Sequence, residues 1–163
     1  MCYSSTTRPF ACEAAIEPMK LIVQPEAGID PIVRAIRRAK KSIDVLIFRL
    51  DVEEVAAALA EAVARGVVVR ALTAHTNRGG TKRLRKLEAR FLECGVTVSQ
   101  TADDLVRYHG KMMIVDGRTL HLYGFNFTWL DMCVRNRLAL TAISNDAGVC
   151  ARQLANVVFS GSR

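Results

Sequence analysis

Residues 109–126, HGKMMIVDGRTLHLYGFN, decide how the rest of this chain is read. His109 and Lys111 are two apart, so in an extended strand their side chains leave from the same face. A histidine beside a fixed positive charge suits chemistry on a phosphate. Asp116-Gly117 separates the apolar run Met112 to Val115 from the run Leu120 to Tyr123, which is a hairpin signal. Folding at that turn is expected to bring Asn126 back beside His109 and Lys111.

The spacing of these residues carries a family likeness. His109-Gly110-Lys111, four residues, Asp116, six residues, then Tyr123-Gly124-Phe125-Asn126 resembles the HxKx4Dx6GSxN signature of the phospholipase D superfamily. His, Lys, Asp and Asn match, and Tyr123-Gly124 stands where the family has Gly-Ser. The resemblance covers roughly Met19 to Asp131, and its wording is closer to bacterial cardiolipin synthase-like or phospholipase D-like proteins. It implies an α/β/α sandwich and covalent chemistry at phosphorus. One histidine attacks to form a phosphohistidine, and a second protonates the leaving oxygen and then serves as base. Lys111 and Asn126 would stabilise the phosphate oxygens. The resemblance places Asp116 among the catalytic residues, yet strand parity points it away from His109 and Lys111. A turn-stabilising role beside Gly117 is the plainer reading. Gly124 removes the family hydroxyl, leaving its backbone N–H as a donor for the phosphate.

Composition bounds the partners. The chain has 163 residues, 50% of them hydrophobic and only 6% aromatic, so an aliphatic core in one domain is expected. A net charge of +7 and a pI near 9.5 favour anionic partners: phospholipid headgroups, other phosphodiesters or nucleic acid. Five scattered cysteines without a CxxC pair read as reduced thiols of a cytoplasmic protein, peripheral at a membrane surface if its substrate is a lipid. Neither a metal nor another cofactor is expected. Residues 1–18 read as an irregular arm without the apolar core of a secretory signal, and 19–163 as a single domain.

From Met19 onward, short apolar runs alternate with helical stripes. Lys20–Val23, Ile43–Leu50, Val67–Leu72 and Val96–Gln100 read as strands, with helices between them closed by Gly66 and Gly95. Asp30-Pro31 reads as a cap followed by proline at the first helical position. Leu138–Ile143 offers a last strand and Ala147–Phe159 a closing helix. Strand–helix alternation predicts a mixed, mostly parallel sheet between helical layers. The loop at His75, Asn77 and Arg78 follows a predicted strand, where ligands gather in open sheets, and would bind substrate together with Tyr108. The next helix carries Lys82, Arg83, Arg85, Lys86 and Arg90 against Glu88, a basic wall beside the site or simply a solvated face.

The two-histidine chemistry sets a demand that this chain does not meet alone. Neither His75 nor His121 begins an HxK, so a second HxK copy is needed, from a homodimer or from a second half of a longer enzyme. Many members of the family this chain resembles also carry a downstream carboxylate that orients the attacking imidazole. Here Asp131 is the lone acid of that segment and sits early for the task, with Arg135 and Arg137 following. The expected function is hydrolysis or phosphatidyl transfer on a phospholipid. A metal-independent dimeric endonuclease and a catalytically impaired anion-binding module are the alternatives.

Overall fold

The computed structural model describes residues 20–75, 81–101 and 110–143. The strands are β1 (Lys20–Gln24), β2 (Ser42–Leu46), β3 (Val68–Thr73), β4 (Thr97–Gln100), β5 (Met112–Val115), β6 (Thr119–Tyr123) and β7 (Arg137–Ile143). The helices are α1 (Asp30–Arg38), α2 (Glu53–Ala64), α3 (Lys82–Glu93) and α4 (Trp129–Cys133). Among the described residues these seven strands form one mixed sheet in the order β1-β7-β6-β5-β2-β3-β4.

The parallel share is smaller than strand–helix alternation implies. Only β2-β3-β4 run parallel, joined by the α2 and α3 crossovers. The Asp116-Gly117 hairpin turns β5 and β6 antiparallel, β7 follows in the same sense, and β1 pairs antiparallel with β7 at the far edge. Both turn residues have left-handed backbones, φ 54° and 64°, the pattern that matches the twist of a two-residue hairpin.

Burial explains which face the helices take. Ile43 and Val45 of β2, Val69 and Ala71 of β3, and Met113 of β5 point to one side. There they meet Ile32 and Ile36 of α1, Val55 and Leu59 of α2, and Leu87 and Phe91 of α3. Each of the larger of these side chains contributes roughly 1.5–3 kcal/mol on leaving water. Leu46, Leu72 and Met112 form a smaller cluster on the opposite face. The closing helix expected over Ala147–Phe159 lies outside the described residues, as does the arm at 1–18. Asp30 is not the cap of α1: Ile29 holds that position and Asp30 lies in the first turn, its charge favourably near the positive end of the helix.

β2 also ends earlier than its apolar run suggests, at Leu46. Residues 47–51 leave the sheet to meet the segment after Asn126. Phe127 N–H donates to the Arg49 carbonyl at 3.1 Å, and Asp51 N–H donates back to Phe127 at 3.0 Å. This exchange ties the loop after β6 to the end of β2.

Candidate functional site

Because β2 and β3 are parallel and β5 is antiparallel to β2, the ends of β2 and β3 and the start of β5 share one rim of the sheet. Lys111 sits on that rim, half-buried, its carbonyl accepting the Tyr123 N–H at 2.9 Å. The pairing thus runs one residue past the strand and holds Lys111 opposite Tyr123. The Tyr123 ring is locked edge-on against Phe125 and Phe127, with centroids at 5.4 and 5.0 Å. Burial pushes its phenol well above the usual range, so it stays neutral.

Phe125 and Phe127 are both about 1% exposed and act as anchors on either side of Asn126. The Asn126 backbone N–H and its side-chain NH2 both donate to Asp131 Oδ2, at 3.2 and 3.4 Å. That contact fixes the amide orientation, and Asn126 Oδ1 is buried with no partner among the described residues. One amide hydrogen of Asn126 remains for a substrate oxygen.

Asp131 is nearer to the site than its spacing suggested. Thr128 caps α4 through its hydroxyl at 3.3 Å, and this single helical turn folds the chain back so that Asp131 faces Asn126. The other carboxylate oxygen meets Arg135 at 3.4 Å and Arg137 at 3.7 Å. Burial pushes the Asp131 carboxyl up, but the Asn126 donors and then the two arginines outweigh it, leaving it below the usual carboxylate range. The early acid therefore buttresses Asn126.

Gly124 differs from expectation too. Its N–H donates to the Leu138 carbonyl at 2.9 Å, so it is not available to a phosphate. A Cβ at this position would lie 2.9 Å from the same oxygen, too close without a shift of β7. A serine here therefore requires the backbone at Leu138 to move.

Asp116 lies at the opposite end of β5 from Lys111, five residues or about 17 Å of strand away. Its carboxylate accepts from the backbone N–H groups of Lys40 at 3.0 Å, Lys41 at 2.7 Å and Ser42 at 3.1 Å. Burial raises its pKa, and the bonds from Lys41, Ser42 and Lys40 more than reverse this, leaving it below the usual value. The structure does not bring Asp116 together with Lys111 and Asn126. It pins the β5–β6 hairpin to the start of β2.

His75 lies just past the end of β3, on the same rim as Lys111, two strand spacings or about 10 Å across the sheet. Its Nδ1 lies 2.9 Å from Gln100 Oε1, and its backbone N–H donates to Thr101 Oγ1 at 3.1 Å. Gln100 in turn donates to the buried Glu88 at 2.7 Å, which also accepts from Thr73 and Arg85. With the Gln100 amide so oriented, its Oε1 faces the ring and accepts from His75 Nδ1. Glu88, read from sequence as a lone acid on a basic helix, is the buried end of this chain. His109, Tyr108, Asn77 and Arg78 lie outside the described residues. Among the described residues no group of three or more His, Cys, Asp or Glu could hold a metal, and no helix is long and apolar enough to cross a membrane.

Comparison with known proteins bears on this geometry. Residues 32–156 match the family described as cardiolipin synthase, PLD-like domain. No curated protein sequence matches the chain significantly. Among solved structures, Nuc of Salmonella typhimurium, titled a phospholipase D family member, superposes with a TM-score of 0.74 at 20% identity, over 90% of this chain and 96% of its own. NucT of Helicobacter pylori gives 0.70 at 16%, over 89% and 97%. A phosphatidylserine synthase of Haemophilus influenzae Rd KW20 gives 0.68 at 14%, over 89% of this chain but 39% of that one. At such identities these likenesses speak for the fold.

Proposed function

Since the chain belongs to the phospholipase D superfamily, in the family of cardiolipin synthase-like domains, we propose that it cleaves or transfers a phosphodiester of a phospholipid through a phosphohistidine. The observation that supports this reading is the Lys111–Asn126–Asp131 arrangement on one rim of the sheet. His109 attacks phosphorus, the P–O bond to the leaving alcohol breaks, and a second imidazole delivers the proton to that oxygen. Water or an alcohol then displaces His109, giving its proton back to the second imidazole. Lys111 balances charge on the non-bridging oxygens, and Asn126 donates its remaining amide hydrogen. Asp131 acts through Asn126 as a positioning residue. Asp116 supports the hairpin that carries Lys111.

The second imidazole comes from a second HxK copy, most simply in a homodimer with the site on its two-fold axis. Activity on labelled phospholipid vesicles in the presence of a chelator, lost in His109→Ala, tests the reaction. Light scattering on the active species tests the shared site, and an active monomer refutes it. DNA is the second substrate reading, favoured by the exposed basic side chains of α3. Plasmid nicking abolished by His109→Ala, with phospholipid untouched, would replace the lipid assignment. Anion binding without turnover of either substrate would identify a binding module instead.

A further inference from the structure

A cavity of about 380 Å³ opens between α3 and the segment Phe48–Asp51, outside the residues assigned to the reaction. Its floor is apolar, formed by Phe48, Leu50 and Leu87, of which Leu50 and Leu87 are buried. Its rim carries four cations, Arg49, Arg83, Lys86 and Arg90, against the two carboxylates Asp51 and Glu93. Asp51 is already committed, accepting the Trp129 N–H at 2.8 Å. Arg83, Lys86 and Arg90 are spaced at three and four residues, one stripe of α3 about 10 Å long at 1.5 Å rise per residue.

Three of the four cations are not neutralised by a neighbouring carboxylate among the described residues. Among the described residues, the side chains of Arg49, Arg83 and Lys86 have no ion pair or hydrogen bond. Arg90 pairs with Glu53 through one terminal nitrogen, but its Nε is buried without an acceptor. A buried guanidinium N–H left unpaired is costly, which sets Arg90 apart from the three exposed or unpaired cations of the rim. Arg49 is also mechanically joined to the reaction site, since its carbonyl takes the N–H of Phe127, the residue after Asn126.

We propose that this cavity is a second phosphate site, taking a phospholipid phosphate other than the one undergoing reaction. The inference deepens the lipid reading above and rests on it for the identity of the ligand. The shared chemistry is a phosphate ester held by a guanidinium-rich rim. The apolar floor favours an amphiphile over free phosphate. A nucleic acid strand would instead need stacking surfaces, and Phe48 is the one aromatic in the lining.

The test is calorimetric titration of the full chain carrying Lys111→Ala, which disables the reaction site and makes the result independent of turnover. Monomeric dihexanoyl phosphatidic acid, inorganic phosphate and a single-stranded DNA 12-mer are the probes. The lipid is expected to bind about tenfold more tightly than inorganic phosphate. Adding Arg83→Ala and Lys86→Ala should weaken lipid binding at least tenfold, whereas adding Lys40→Ala and Lys41→Ala at the opposite sheet end should change it less than twofold. All four are exposed side chains, and circular dichroism checks that the fold is kept. The proposal is overturned by unchanged binding in the Arg83/Lys86 variant, by equal losses in both double variants, or by equal affinity for lipid and inorganic phosphate. DNA binding through Arg83 and Lys86 without lipid binding overturns it as well.

Discussion

Replacing Asp116 with Asn should damage stability before chemistry. The carboxylate gathers the N–H groups of Lys40, Lys41 and Ser42, and so joins the β5–β6 turn to the start of β2. Asparagine tolerates the left-handed backbone at φ 54° and keeps one oxygen, so the perturbation is loss of charge and of one acceptor. Charge-assisted hydrogen bonds contribute about 1.5–3 kcal/mol each when sheltered, and this half-exposed group is discounted for solvent. A net loss of about 1.5–2 kcal/mol follows, which lowers Tm by about 3–8 °C for a chain of this size. The pH dependence has a definite sign. The folded carboxyl titrates below its unfolded value, so its stabilisation is present above about pH 4 and fades as pH falls through the folded value. Thermal unfolding by circular dichroism at pH 7 and at pH 3 should therefore show a gap between wild type and variant that narrows in acid. Turnover per folded molecule at 20 °C should stay within a few-fold. An unchanged Tm at pH 7 with activity abolished would refute the structural role and return Asp116 to the chemistry.

Three further outcomes are expected. Asp131→Asn weakens the contacts with Asn126, Arg135 and Arg137, and kcat should fall on the order of tenfold with little change in KM; an unaltered kcat would remove Asp131 from the site. Gly124→Ser, although it restores the family residue, should lose about 1–3 kcal/mol in urea unfolding because its Cβ presses on the Leu138 carbonyl; a neutral or stabilising result would contradict the contact. Burial lowers the pKa of His121 from 6.5 to about 4, so the folded chain resists protonation that the unfolded chain accepts. Stability should fall by up to about 3 kcal/mol as pH drops from 6.5 toward 4, and a His121→Gln variant should show a shallower slope of urea midpoint against pH.

Much of the architecture was legible because its signals are local. Apolar runs placed the strands, stripes ending at Gly66 and Gly95 placed α2 and α3, and Asp116-Gly117 marked a hairpin that the backbone confirms at φ 54° and 64°. Strand parity alone already pointed Asp116 away from Lys111. Pairing direction was less legible, because nothing in Lys20–Gln24 says that it will cross to the far edge and lie antiparallel to β7. Such choices depend on which strand edges remain free once the sheet assembles.

The site divides in the same way. Local spacing singled out Lys111 and Asn126 as candidates and expected the hairpin to bring them together with His109. Only the tertiary structure turned α4 so that Asp131 meets Asn126, spent the Gly124 N–H on Leu138, and buried Glu88 beneath His75. Those contacts depend on how neighbouring strands and helices pack, which no spacing along one segment encodes. The sequence by itself thus determined the hairpin and the candidate residues of 109–126 that it carries. Packing across the sheet decided which of their polar atoms already have partners.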